Sequence, residues 1–328
     1  MRPFKYVRAT DANAAARAVA ANAQAKFLAG GTNLLDLMKE DVERPNQLVD
    51  LTRLKLSEIK PLRGGVSIGA LATNTETANN PLIRTNYPLL TQAIVAGASA
   101  QLRNMATNGG NLLQRTRCQY FYDTAMPCNK REPGTGCGAL QGLNRYHAIF
   151  GWSEQCVATY PGDMATALSA LEAVVRVRGS NGRERTIPIA DFHRLPGTAP
   201  HLDTNLAHGE LITAIELPKS YFAKHSYYLK IRDRASYAFA LVSVAAALDL
   251  DGDTIRHARV VLGGVAHKPW RSREAETLLA RAPVSEESFR RAAEAAVRDA
   301  QPLEHNAYKV ELAKRAIVRA LTRASGVL

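Results

Sequence analysis

The chain of 328 residues holds four cysteines, Cys118, Cys128, Cys137 and Cys156, all confined to one stretch. Hydrophobic periodicity disappears there, and Gly, Pro, Tyr and polar residues dominate, as in Pro127-Cys128-Asn129-Lys130-Arg131-Glu132-Pro133-Gly134-Thr135-Gly136-Cys137. An irregular stretch this long inside a compact domain needs a functional or structural reason. Four thiols so grouped suit three kinds of chemistry. Disulfides require an oxidising compartment. A Cys₄ zinc site is usually built from close Cys-x-x-Cys pairs, which this sequence lacks. An iron–sulfur cluster takes four thiolates at spacings that vary between families. The neighbouring Arg115, Arg117, Lys130 and Arg131 would favour thiolates and an anionic cluster, or would simply face solvent.

A second kind of chemistry is suggested by Lys26-Phe27-Leu28-Ala29-Gly30-Gly31-Thr32-Asn33-Leu34. An apolar run stops at two adjacent glycines, and apolar residues resume at Leu34. The pattern predicts a buried strand, a tight turn and a short helix. Glycine tolerates φ > 0 and lets a ligand approach the backbone, and successive N–H groups at a helix start point at anions. The turn is a candidate pyrophosphate cradle, although Gly-x-Gly-x-x-Gly is absent; an ordinary structural turn is the competing reading. A second Gly-Gly follows in Thr107-Asn108-Gly109-Gly110-Asn111, again among small polar residues. Two such turns in one chain could cradle two parts of one large, nucleotide-like ligand; each alone reads as an ordinary loop. No nucleophile pairs with a histidine and a carboxylate, so the redox chemistry would belong to cofactors that the protein positions.

These residues need elements to hold them. Residues 11–23 read as an Ala-rich helix with Asp11 near its cap. A strand at 47–51 completes a small α/β unit. A second unit opens with a strand at 65–71, then helical material at 75–96 broken by Pro81 and Pro88. An apolar helix begins near Asp163, whose default role at that point is capping. Strands 174–178 and 185–189 turn at Asn181-Gly182, a hairpin signal, and a strand at 211–217 ends at Pro218. After a linker at 219–225, strands 226–231, 238–250 and 254–264 precede helices at 272–281, 285–300 and 306–324. Three strands followed by three helices suggest an α+β domain, a sheet with one helical layer.

The composition, 46% hydrophobic and 22% charged, is that of a soluble globular protein. No apolar run is long enough to span a membrane. The N-terminus lacks the features of a signal peptide. The net charge of +12 is spread along the chain, and no nucleic-acid-binding motif accompanies it. Its nearest approach to a patch is Arg290, Arg291, Arg298, Lys314, Arg315, Arg319 and Arg323, interrupted by acidic residues. That reads as a solvated helix face or a docking face for a partner subunit.

Ala29-Gly30-Gly31-Thr32-Asn33-Leu34 together with Arg103-Asn104-x-Ala106-Thr107-x-Gly109-Gly110-Asn111 resembles the FAD-binding medium subunits of the molybdenum hydroxylases, over essentially the whole chain. The resemblance implies a two-part FAD domain of the vanillyl-alcohol-oxidase type, residues 1–58 and 59–222, and a C-terminal domain at 223–328. It implies that Lys26, Phe27, Leu28, Ala29, Gly30, Gly31, Thr32, Asn33 and Leu34 wrap the FAD pyrophosphate and adenosine side. Thr107, Gly110 and Asn111 would form the second cradle. Asp163, Ile212 and Lys230 would lie at the flavin. Most members run from Gly-Gly-Asn almost directly into the Asp-containing helix. Here an insertion at about 115–159 intervenes. It is similar to that of the minority whose insertion carries a [4Fe–4S] cluster, the periplasmic aldehyde oxidoreductase flavoprotein being the nearer likeness. Cys118, Cys128, Cys137 and Cys156 would then be the cluster ligands.

The implied function is electron transfer. A large molybdenum-cofactor subunit would oxidise an aldehyde, and a small [2Fe–2S] subunit would pass electrons to FAD on this chain, then to an external acceptor. A self-sufficient FAD oxidase and a zinc-stapled scaffold are the alternatives. The implied location is the periplasm, by co-export with a signal-bearing partner; the cytoplasm is the alternative.

Overall fold

The computed structural model describes residues 1–326. Its first sheet is parallel and three-stranded, with Gln47–Asp50 between Lys5–Arg8 and Ala25–Leu28. Asp11 accepts from Ala14 N at 2.8 Å and caps the helix Ala12–Ala20, which buries Ala15, Ala16 and Val19. Strand Ala25–Leu28 runs in register with Gln47–Asp50. Gly30 to Asn33 thus emerge at the carboxyl end of parallel strands, where α/β sheets bind ligands. The short helix Leu34–Lys39 follows. The edge strand Lys5–Arg8 was not legible in the sequence because its side chains are mostly exposed and do not alternate.

The second sheet is antiparallel, in the order Ile59–Leu62, Gly65–Gly69, Leu211–Pro218, Val174–Arg178, Glu184–Pro188. The hairpin turns at Gly182, φ 78°. Pro81 and Pro88 split the predicted helical region into Asn74–Asn79, Pro81–Asn86 and Pro88–Ala96, each proline sitting in a first turn where its missing N–H costs nothing. Helix Asp163–Ala170 is buried from Met164 to Ala170. It packs against Pro88–Ala96 and against three strands of the third sheet, so one core joins both units.

That third sheet has four strands rather than three: Trp270–Arg271, Thr254–Gly263, Val242–Asp251 and Ser226–Ile231. The extra strand is two residues long, pairing with Val261 and Leu262, too short to leave a period-2 signal. Helices Arg273–Leu279, Glu286–Ala296 and Tyr308–Ser325 follow and supply Phe289 and Ile317 to a core shared with Val244 and Val260. Arg290 pairs with Glu286 and Arg315 with Glu311 along the exposed faces.

Two local expectations are corrected. The second glycine pair is not a turn: Gly109 and Gly110 lie in a short helix, Asn108–Leu112, capped by Thr107. Asp163 is not a cap either: Gly162 occupies that position, and the Asp163 carboxylate turns to other partners.

Candidate functional site

The two glycine motifs meet. A Cβ on Gly30 would collide with the Met105 carbonyl, so the first turn lies directly on the end of helix Ala100–Met105. Gly31 has φ 73°, a left-handed conformation that glycine adopts without strain. Among the described residues, the N–H groups of Gly31, Thr32 and Asn33 find no acceptor. The buried Asn33 Nδ2 has no partner, while its Oδ1 accepts from Arg115 N at 3.0 Å. The first N–H groups of a helix have no partner within it, so these donors, at the start of Leu34–Lys39, are free to meet an acceptor. In the second motif, Gly110 N donates to Thr107 Oγ1 at 3.3 Å. Gly109 packs on Ala70 and Ile212. Asn111 Nδ2 donates to Asn74 Oδ1 at 2.9 Å.

Both motifs open on one cavity of about 820 Å³, whose wall includes Thr32, Asn33, Gly110, Asn111, Asp163 and Lys230. That volume lies in the range of cofactor sites, roughly 300–1,000 Å³. The other predicted residues stand behind this wall. Phe27 and Leu28 lie in the strand, followed by Ala29, Gly30 and Gly31. Lys26 pairs with Glu43 at 3.6 Å. Leu34 opens the helix, Thr107 caps, and Ile212 is buried beneath Gly109. Asn74, Arg103, Gln114, Tyr237 and Phe239 line the cavity without having been predicted. Tyr237 and Phe239 are exposed in its wall, with Arg117 5.1 Å from the Phe239 ring.

Deep in the cavity, Asp163 holds two partners. Its Oδ2 accepts from Lys230 Nζ at 2.7 Å and its Oδ1 from Tyr228 Oη at 2.7 Å. Burial pushes the Tyr228 phenol well above its ordinary range, so it stays a donor. Lys230 also donates to Ala96 O at 3.2 Å. Strand Ser226–Ile231 places Tyr228 and Lys230 two residues apart on one face. That alternation was readable in the sequence; its convergence on Asp163 was not.

All four cysteines line a second, small cavity, together with Asn129 and Lys130. All four are free thiols. The loop that carries them is held by its own polar side chains. Asn129 Oδ1 accepts from Gly134 N at 3.0 Å and Gly136 N at 2.9 Å. Arg131 donates to the carbonyls of Tyr120 and Phe121 at 2.9 Å each. Burial raises the Cys118 thiol to about 12. Cys137 is brought down to about 6, chiefly by its hydrogen bond with Cys156, which overcomes burial; Cys156 is correspondingly raised. Among the described residues, no three His, Cys, Asp or Glu side chains converge on one ion position.

The flanking cations are not loose surface charges. Arg115 pairs with Glu43 at 2.6 Å and Asp203 at 2.7 Å. Lys130, 4% exposed, pairs with Asp203 at 2.6 Å. Burial alone would raise Asp203, but Arg115 and Lys130 outweigh it and bring the carboxyl down to about 2. Arg117 pairs with Asp36 at 2.8 Å. The two cavities share Thr116 and Cys118 in their walls. His147 Nε2 lies 3.1 Å from Cys118 Sγ and also faces the larger cavity.

Residues 2–220 match the FAD binding domain in molybdopterin dehydrogenase, and residues 227–324 the CO dehydrogenase flavoprotein C-terminal domain. The chain is 49% identical to the aldehyde oxidoreductase FAD-binding subunit PaoB of Escherichia coli, over 99% of each chain. It is 30% identical to the glyceraldehyde dehydrogenase medium chain of Sulfolobus acidocaldarius, over 83% of this chain and 79% of the other. Among solved structures, carbon monoxide dehydrogenase from Hydrogenophaga pseudoflava superposes with a TM-score of 0.78 at 26% identity, covering 99% of this chain and 98% of that one. Quinoline 2-oxidoreductase from Pseudomonas putida shares the fold, with a TM-score of 0.77 at 24% identity over 99% and 98% of the two chains.

Proposed function

The chain belongs to the FAD-binding medium subunits of the molybdenum hydroxylase family, and on that premise we propose that it is the FAD- and [4Fe–4S]-bearing electron-transfer subunit of a molybdenum-dependent aldehyde oxidoreductase. Its proposed partners are a large subunit with the molybdenum cofactor, where the aldehyde is oxidised, and a small [2Fe–2S] subunit. An external acceptor receives the electrons. Its proposed location is the periplasm, reached by export bound to a signal-bearing partner. Cell fractionation with immunodetection of the chain tests that, and a purely cytoplasmic chain refutes it.

The observation that carries the reading is the single cavity on which both glycine motifs and the Asp163–Lys230 pair open. The N–H groups of Gly31, Thr32 and Asn33 would donate to the pyrophosphate, with the Asn33 amide beside them. Thr107 holds the second motif in shape, and Gly110 and Asn111 present its surface. Lys230, fixed by Asp163, would set a charge pair against the flavin ring. Bound FAD supplies the exchange between one-electron donors and a two-electron acceptor.

Cys118, Cys128, Cys137 and Cys156 would hold the [4Fe–4S] cluster. A structural zinc ion draws four ligands to one tetrahedral point. A [4Fe–4S] cluster would instead take one thiolate on each of its four irons, which suits four thiols spread around one cavity wall. A visible spectrum with iron and zinc analysis tests the reading. Flavin and iron–sulfur absorption with two co-purifying subunits is expected. A colourless zinc protein would favour the scaffold, and a lone flavoprotein turning over substrate unaided would favour the self-sufficient oxidase. Unchanged iron content in Cys137→Ser would sink the cluster assignment.

A further inference from the structure

Cys118 is the one cysteine on both cavities, and it has a nitrogen neighbour. His147 Nε2 lies 3.1 Å from its sulfur. For a hydrogen bond to sulfur this is a short contact, and it is buried, since His147 is 4% exposed. The other ring nitrogen, Nδ1, is buried with no partner. Among the described residues, Cys118 Sγ is thus the one hydrogen-bond partner of the ring.

The backbone around His147 is anchored without its side chain. Its carbonyl accepts from Lys309 Nζ at 3.0 Å and from Asn306 Nδ2 at 3.2 Å, and its N–H donates to Asn144 O at 3.0 Å. Lys309 and Asn306 are themselves fully buried. A segment clamped this way delivers the imidazole to one fixed place, against the Cys118 sulfur. Tyr120, 8% exposed, stands beside it with ring centroids 6.3 Å apart.

We propose that His147 is a positioning and tuning residue of the four-cysteine centre: its Nε2–H donates to Cys118 Sγ and sets the reduction potential of the iron–sulfur cluster there. This rests on the cluster assignment proposed above. A metal-bound thiolate only accepts hydrogen bonds, so the proton of a neutral imidazole must sit on Nε2, which leaves Nδ1 as the unpartnered lone pair. One-electron reduction adds negative charge to the cluster and its thiolates. A donor aimed at a ligand sulfur stabilises that charge, and hydrogen bonds to sulfur are among the factors that set iron–sulfur potentials. Cys118 is also the ligand nearest the flavin side, since its wall is shared with the larger cavity. The donor thus acts at the cysteine whose wall is shared with the proposed FAD site.

The test is an EPR-monitored redox titration of the purified whole assembly, with the cluster's signal identified by its loss in Cys137→Ser. His147→Phe removes the donor and keeps bulk; His147→Gln restores an N–H. Iron content is measured in parallel. The expected result is unchanged iron in His147→Phe with the cluster's midpoint shifted to more negative potential, and His147→Gln returned toward the parent value. An unchanged potential in His147→Phe with iron retained would overturn the proposal. Loss of iron from both variants alike would also overturn it, because the ring would then be holding the loop rather than tuning the centre. If the parent assembly shows no signal that Cys137→Ser removes, the cluster reading itself fails, which is a separate outcome from an unshifted potential.

Discussion

Lys230 Nζ lies 2.7 Å from Asp163 Oδ2, and the two side chains are only 4% and 10% exposed. An ion pair withdrawn from water to this degree gains little over an apolar pair of the same shape, but breaking it leaves a buried, uncompensated charge. Both residues stand in the wall of the larger cavity.

Removal of either partner is therefore expected to be costly. Asp163→Asn leaves the buried Lys230 ammonium with neutral acceptors alone, the amide oxygen and the Ala96 carbonyl, and should destabilise the chain by roughly 3–5 kcal/mol. Lys230→Met should cost a similar amount. The double variant should cost much less than the sum, because no lone charge remains. Denaturant titration of the three chains measures the coupling; additive losses would show that the pair acts as two independent groups. Both single variants should also lose FAD on gel filtration, read from the flavin absorbance per chain.

Gly30 and Gly31 should respond differently to alanine, in the opposite order to their backbone angles. Gly31 has φ 73°, and alanine there costs about 1–2 kcal/mol of strain. Its added methyl group meets the movable end of Leu35, 2.9 Å away. Gly30 has an ordinary φ, but its added methyl group would strike the Met105 carbonyl. That is backbone, so the two motifs must separate. Gly30→Ala is expected to lose FAD outright and Gly31→Ala to weaken it. Equal FAD retention in the two variants would refute the packing argument.

The contrast explains what the sequence could reveal. Adjacent glycines marked both motifs, because glycine is informative wherever backbone approaches backbone. The strand–turn–helix around Gly30 was readable from its apolar run. The contact between Gly30 and Met105 was not, since it joins segments 75 residues apart through a carbonyl, which has no sequence signature. Asp163 illustrates the same limit. Its place at a helix start suggested a cap, and only the third sheet, bringing Tyr228 and Lys230 alongside, turns it into a buried ion-pair partner. Strands Lys5–Arg8 and Trp270–Arg271 went unread because one is exposed and the other is two residues long. The cysteines were legible as a group because one irregular stretch holds them all; their shared cavity depends on Asn129 and Arg131, whose bonds are to backbone.

Asp203 should make the cysteine loop sensitive to acid. Its carboxyl is depressed from 3.8 to about 2, with burial opposing and Arg115 and Lys130 prevailing. A depressed carboxyl contributes stability above its unfolded value and loses it as pH falls toward the folded one. The window here is about pH 4 down to pH 2. Asp203→Asn should be less stable than the parent by about 2 kcal/mol at pH 6, and the gap should close below pH 3. Urea denaturation at stepped pH measures this; a gap that persists at pH 2 would show that Asp203 acts through packing rather than charge.

Lys309 should also make stability rise with pH, but on the alkaline side and because its charged form is the penalised one. It is 0% exposed, has no carboxylate partner among the described residues, and its ammonium donates to the carbonyls of His147 and Gly264 at 3.0 and 2.8 Å. Burial first, then Arg145, brings its pKa from 10.5 down to about 7. Between those values the unfolded chain binds the extra proton, so stability rises with pH across that window. The charged form is the one that is penalised, and raising the pH relieves it. Lys309→Met should therefore flatten the rise, removing up to roughly 4 kcal/mol of pH-dependent stability between pH 7 and pH 10. The quantity to measure is the difference in unfolding free energy between the two chains at each pH, which cancels the titration of groups they share. A difference independent of pH would mean that Lys309 is neutral, or charged, throughout, and that the two carbonyls outweigh its burial.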